Sequence, residues 1–140
     1  DSRIPLRPIG CATMSKDLDH VSRILIVDDE VTIRQFMTEV LTRYGHHPVS
    51  APDAAQALQI LDRDSIDLLL LDLHMPGTAD GEDLLYLLRD RGDDIPIIIV
   101  SGWVDDDATR EQPGCVHAVL KKPVSVELLI NTVNQVLDQA

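Results

Sequence analysis

Residues 23–30 read RILIVDDE, and the fold turns on this short run. Ile24, Leu25, Ile26 and Val27 are apolar without alternation, so both faces of the strand they form must be buried. Such a strand belongs to a parallel sheet covered on each side by helices, because an antiparallel sheet with one wet face alternates. The run stops abruptly at Asp28 and Asp29, which places two carboxylates at the strand's carboxyl end.

The pattern continues outward from there. Ile33, Phe36, Met37, Val40, Leu41 and Tyr44 recur at steps of three and four, one face of a helix. Gly45 follows where a helix C-cap glycine belongs. HHPVSA, residues 46–51, is a weaker strand, and Pro48, which lacks a ladder donor, puts it at a sheet edge. Asp53 and Gln56 have capping-box spacing and open a second helix with Ala54, Ala57, Leu58 and Leu61 on its apolar stripe. DLLLLD, residues 67–72, is a buried strand that ends in Asp72. A third helix over about residues 82–89 is expected to bury Leu84, Leu85, Leu87 and Leu88. IPIIIVS, residues 95–101, is the fourth strand, DDDATREQ, residues 105–112, a short polar helix, and HAVLKK, residues 117–122, the fifth strand. Ser125 caps a last helix carrying Val126, Leu129, Ile130, Val133 and Leu137 on one face. Five strands alternating with five helices predict an α/β fold, a doubly wound three-layer sandwich around a five-stranded parallel sheet.

Composition narrows the function. A chain of 140 residues with 44% hydrophobic content is one globular domain with a core built from Leu, Ile and Val, since aromatics make up only 3%. A formal charge of −12 argues against direct nucleic-acid binding, because nothing neutralises phosphates in bulk. No apolar run approaches the roughly 20 residues of a membrane span. Cys11 and Cys115 match no metal spacing and read as reduced thiols, so a soluble cytoplasmic domain without membrane contact is expected. Residues 1–13, rich in Pro and Arg, read as a leader or loose tail before Met14. The chain divides into a tail over residues 1–20 and one domain over residues 21–140.

In doubly wound sheets, ligands bind beyond the carboxyl ends of the strands. Asp28, Asp29, Asp72, Ser101, Lys121 and Lys122 all arrive there, although up to 94 positions separate them in sequence. An acid after a buried strand often only starts a turn. Three at one edge, however, repel each other unless a cation sits among them. A hard divalent cation such as Mg²⁺ suits oxygen donors of this kind. A carboxylate can attack phosphorus, while a lysine and a hydroxyl neutralise and hold the phosphoryl oxygens.

At this point the chain resembles the receiver domains of two-component response regulators. The resemblance rests on ILIVDDE (24–30), LLLLDLHMPG (68–77) with DGEDLL (80–85), IIIVSGW (97–103) and LKKPVS (120–125). It implies a flavodoxin-like sheet of order 2-1-3-4-5. It implies that Asp72 is the phosphoacceptor and that Asp28, Asp29, Asp72 and the main-chain carbonyl of His74 hold Mg²⁺. Ser101 matches the switch hydroxyl. Lys122, which directly precedes Pro123, matches the family's lysine, and the Lys122–Pro123 bond is expected to be cis. The partner is then a histidine kinase or a histidine phosphotransfer protein. The resemblance also implies that the protein is not an enzyme in the ordinary sense and catalyses only its own phosphorylation and dephosphorylation. The face formed by the fourth helix, fifth strand and last helix offers a surface for a homodimer.

Three departures stand out. Val119 occupies the position, three residues before the Lys-Pro pair, where relatives usually carry Tyr or Phe. One extra residue separates Asp72 from the DG pair, so GTADG, residues 77–81, is expected to bulge. His74 and Trp103 lie two residues past the acceptor and the switch hydroxyl, positions that tune the lifetime of the phosphoryl group. Competing readings fare worse. A dehalogenase-type phosphatase needs an Asp where His74 stands, and an FMN carrier needs a hydroxyl-rich phosphate loop where DDE would repel the anion. A catalytically silent pseudo-receiver, serving as a docking scaffold, is the remaining alternative.

Overall fold

The computed structural model describes residues 22–73, 81–102 and 116–139. Strands β1 (Arg23–Val27), β2 (His47–Ala51), β3 (Leu68–Leu71), β4 (Ile97–Ser101) and β5 (Val116–Lys121) form one parallel sheet. Its order is β2-β1-β3-β4-β5, as the sequence led us to expect. Among the described residues four helices cover it: α1 (Val31–Arg43), α2 (Ala54–Arg63), α3 (Gly81–Asp90) and α4 (Val126–Gln139). The short helix expected over 105–112 and residues 77–80 of the expected bulge lie outside the described residues, and Gly81, the last residue of that bulge, opens α3.

The period of two along each central strand divides the core into two layers. Ile24, Ile26, Leu68, Leu70, Ile98 and Val100 face α1 and α4, where Met37, Leu41, Leu129 and Val133 meet them. Leu25, Val27, Leu69, Leu71, Ile97 and Ile99 face α2 and α3, against Ala57, Ile60, Leu84, Leu85 and Leu88. All of the central strands' apolar side chains are essentially removed from water. Each contributes about 1.5–3 kcal/mol. The half-buried Val119 packs against the second of these layers.

Local signals were followed closely. Asp53 caps α2 by accepting a 2.9 Å bond from the Gln56 amide. Ser125 Oγ accepts one of 3.1 Å from the Leu128 amide at the start of α4. Gly45 adopts φ +88° just beyond α1, a conformation that needs no Cβ. The Lys122–Pro123 bond is cis.

Three expectations about burial need correction. Leu87 is exposed, because Leu84, Leu85 and Leu88 define the buried face of α3 and position 87 points more than a quarter turn from its centre. Tyr44 is exposed because α1 ends at Arg43 and the chain turns away there. Val126 sits at the first position of α4, before the helix reaches the sheet, and is partly exposed. No helix among the described residues is long and apolar enough to cross a membrane.

Candidate functional site

The ladder itself gathers the site. Val27 pairs with Leu71 across β1 and β3, so the residues that follow, Asp28 and Asp72, leave the sheet side by side. Main-chain bonds extend this alignment one step past the strands: Asp72 N–H donates to Val27 O at 2.9 Å, and Asp28 N–H to Ala51 O at 3.2 Å. On the other flank Ser101 pairs with Lys121, and Lys122 N–H donates to Ser101 O at 3.0 Å. Lys122 therefore stands one residue beyond β5 rather than within it. The short apolar strands end in register, and their first polar residues meet in one crevice.

Asp28, Asp72 and Ser101 are the buried polar residues of this core, at 0, 4 and 1% exposure, whereas Asp29 faces solvent. Ligating oxygens of Asp28, Asp29 and Asp72 lie within 4.8 Å of one another. Lys122 reaches into the same cluster. Its Nζ lies 2.7 Å from Asp28 Oδ2, 3.2 Å from Asp72 Oδ2 and 3.5 Å from Glu30 Oε1. Burial alone would lower the pKa of this ammonium, but the carboxylates of Asp28 and then Asp72 outweigh that, and it is held above the ordinary 10.5. One cation thus faces three of the acids gathered there, Asp28, Asp72 and Glu30.

The donors suit a hard cation. They are carboxylate oxygens, close enough to share one ion, with Asp29 on the solvent side as the entry point. Asp28 Oδ2 is shielded from water and accepts no well-aligned hydrogen bond among the described residues, although Lys122 Nζ lies 2.7 Å from it. An oxygen in that state has lone pairs available to a metal. His74, whose carbonyl the resemblance adds to this set, lies outside the described residues, as does Trp103.

Two residues that no motif singled out also touch the cluster. Glu30 N–H donates to Asp28 Oδ1 at 2.9 Å, while its carboxylate approaches Lys122. Arg34 Nη1 donates to the Asp28 carbonyl at 2.6 Å. Glu30 was foreshadowed only as a third acid in a row, and Arg34 by nothing beyond its place one turn into α1.

Residues 24–134 match the model of the response regulator receiver domain. The chain is 35% identical over 89 residues to sporulation initiation phosphotransferase F of Bacillus subtilis, covering 64% of this chain and 71% of that protein. It is 30% identical over 118 residues to the CAI-1 autoinducer sensor kinase/phosphatase CqsS of Vibrio cholerae, covering 81% of this chain and 17% of that one. Among solved structures, the receiver domain of Francisella response regulator 1452 superposes with a TM-score of 0.77 at 28% identity, over 84% of this chain and 98% of that one. The chain belongs to the response regulator receiver domain family of two-component systems. It spans half or less of several of the curated relatives it matches, among them response regulator FleR of Pseudomonas aeruginosa, at 24% of that protein. Receiver domains are phosphoacceptor signalling modules rather than conventional enzymes, and they generally depend on Mg²⁺.

Proposed function

We propose that this receiver takes a phosphoryl group from a phosphohistidine onto Asp72, in a reaction that needs Mg²⁺ at Asp28, Asp29 and Asp72. The observation that carries this reading is the single ammonium of Lys122 set between Asp28 and Asp72, at 2.7 and 3.2 Å. Asp72 is the acid nearest the centre of the sheet, its main chain pinned to β1 and its carboxylate aimed at the crevice. Its oxygen attacks phosphorus, the P–N bond to the donor imidazole breaks, and that nitrogen keeps the electron pair and takes up a proton. Mg²⁺, when bound, neutralises phosphoryl oxygens and so allows two anions to approach. Lys122 already lies within reach of the acceptor and neutralises a further oxygen, while the buried Ser101 hydroxyl at the end of β4 donates to another. The bound phosphoryl group draws Ser101 and Lys122 toward Asp72, and that displacement is the signal; a shift of a few kcal/mol between two states suffices. Hydrolysis by the domain itself resets it.

The donor is a histidine kinase or a histidine phosphotransfer protein. Relatives that are themselves a sensor kinase/phosphatase and a phosphotransferase support this placement in a phosphorelay. Residues 21–140 constitute the receiver, and its place of work is the cytoplasm.

Incubation with acetyl phosphate or phosphoramidate and Mg²⁺, read by intact mass, tests the proposal. One added phosphoryl group is expected on the wild-type chain and none on Asp72→Asn. No gain in the wild type, or an equal gain in the variant, would defeat it. Chelation by EDTA should abolish the gain.

A further inference from the structure

Arg34 lies at the fourth position of α1, one turn past the acids, and its own amide donates to Glu30 O at 3.0 Å to begin the helix. With its guanidinium bond, both main-chain polar groups of Asp28 and one of its carboxylate oxygens are hydrogen-bonded. The amide donates to Ala51 O, Oδ1 accepts from Glu30 N–H, Oδ2 faces Lys122, and the carbonyl accepts from Arg34 Nη1 at 2.6 Å. That carbonyl belongs to the peptide joining Asp28 to Asp29. Asp28 is wholly buried and Asp29 is exposed, so this peptide links the two carboxylates across the boundary between core and solvent, and its orientation is one of the things that sets how they converge. A charge-assisted bond to it from the following helix fixes the plane.

The two cations near the cluster also differ in what they occupy. Lys122 sits on carboxylate oxygens that a metal would use. Arg34 sits on a main-chain oxygen of Asp28.

We propose that Arg34 is a positioning residue for the metal site: by clamping the Asp28 carbonyl it sets the angle at which Asp29 joins Asp28 and Asp72. This rests on the metal reading given above. Partners that orient ligands without touching the metal typically change affinity by 10–100-fold when removed.

The test is calorimetric titration of the 140-residue chain with Mg²⁺, paired with thermal melts and with NMR of the amides of residues 28–30 before metal is added. Arg34→Ala and Arg34→Met both remove the donor, and Met keeps the apolar stem should Ala fail to fold. Each folded variant is expected to bind Mg²⁺ about tenfold more weakly, near the lower end of that range, with the three amide signals already displaced without metal. Arg34→Lys, which keeps charge and a donor, should recover part of the affinity. A folded Arg34→Met that binds within twofold of the wild type, or whose signals at residues 28–30 are undisturbed, overturns the inference alone. A wild-type chain that binds no Mg²⁺ overturns it together with the metal reading.

Discussion

The sheet has acids at both ends, and the two ends treat them differently. At the amino-terminal ends of the strands Asp67, Asp93 and Asp94 line a shallow hollow with His117. Asp67 accepts a 2.8 Å bond from the Arg23 amide, and Asp93 lies 4.0 Å from Arg91, which itself bonds Asp62 at 2.6 Å. The charged partners of that end are 37–61% exposed, so water already solvates them and each pair adds about 0–1 kcal/mol. At the carboxyl ends the side chains of Asp28 and Asp72 are only 1 and 5% exposed and share one ammonium whose own side chain is 14% exposed. The same residue type thus makes a solvated rim at one end and a charged, poised cluster at the other. Burial, with a cation inside it, is what separates a site from a surface.

The largest effect expected from breaking this contrast comes from Lys122→Met. Removing one partner of a buried ion pair leaves an uncompensated charge, and the loss should be about 3 kcal/mol in urea unfolding without metal. Asp28→Asn in the same background should restore much of it, and so should millimolar Mg²⁺. A Lys122→Met variant as stable as the wild type in EDTA would show that the ammonium does not hold the cluster. The pH dependence carries a definite sign. Because the folded-state pKa of Lys122 is raised above 10.5, its stabilisation is complete below pH 10.5 and fades as pH climbs through the folded value. The wild type should therefore lose stability in that alkaline window by an amount that Lys122→Met lacks. Parallel curves for the two proteins would contradict the assignment.

Much of this was legible in the sequence because strands that end in register deliver their next residues to one line. RILIV followed by DD, and LLLL followed by D, fix where the acids emerge once the sheet is parallel. Helix caps at Asp53 and Ser125 were legible because capping is local, settled within four residues. The third helix was less so: four leucines in DLLYLL cannot all face inward, and only contact with β3 and β4 selects Leu84, Leu85 and Leu88 over Leu87. The contacts of Glu30 and Arg34 were illegible for another reason. Long flexible side chains reach partners set by the tertiary path, as Glu30 does to a lysine 92 positions away, and no spacing rule encodes such a meeting.

Smaller effects sharpen the comparison at its solvent edge. Asp29 is the exposed member of the triad, so its charge mainly repels two neighbours. Asp29→Asn should stabilise the metal-free protein by up to about 1 kcal/mol, the scale of like charges this close in a watery dielectric. The same change should weaken Mg²⁺ binding measurably. That opposition, stability gained as a ligand is lost, is the mark of a functional acid. Asp29→Asn that loses both stability and metal affinity would instead make Asp29 a structural residue.

The smallest change is expected at the other end. Asp67→Asn keeps an oxygen for the Arg23 amide, so stability should move by less than about 0.5 kcal/mol. Five residues of extended chain separate Asp67 from Asp72, about 16 Å. That is roughly twice the screening length at physiological salt, about 8 Å. The acids of the two ends should therefore ignore each other, and Mg²⁺ affinity should be unchanged in Asp67→Asn at 0.15 M salt, on the order of physiological ionic strength. A loss comparable to that in Asp29→Asn would mean that the net charge of −12, rather than the local geometry of Asp28, Asp29 and Asp72, draws the metal in. Repeating both titrations at 1 M salt, where screening falls to about 3 Å, separates the two cases: a diffuse attraction disappears, whereas direct ligation by Asp29 keeps its difference from Asn.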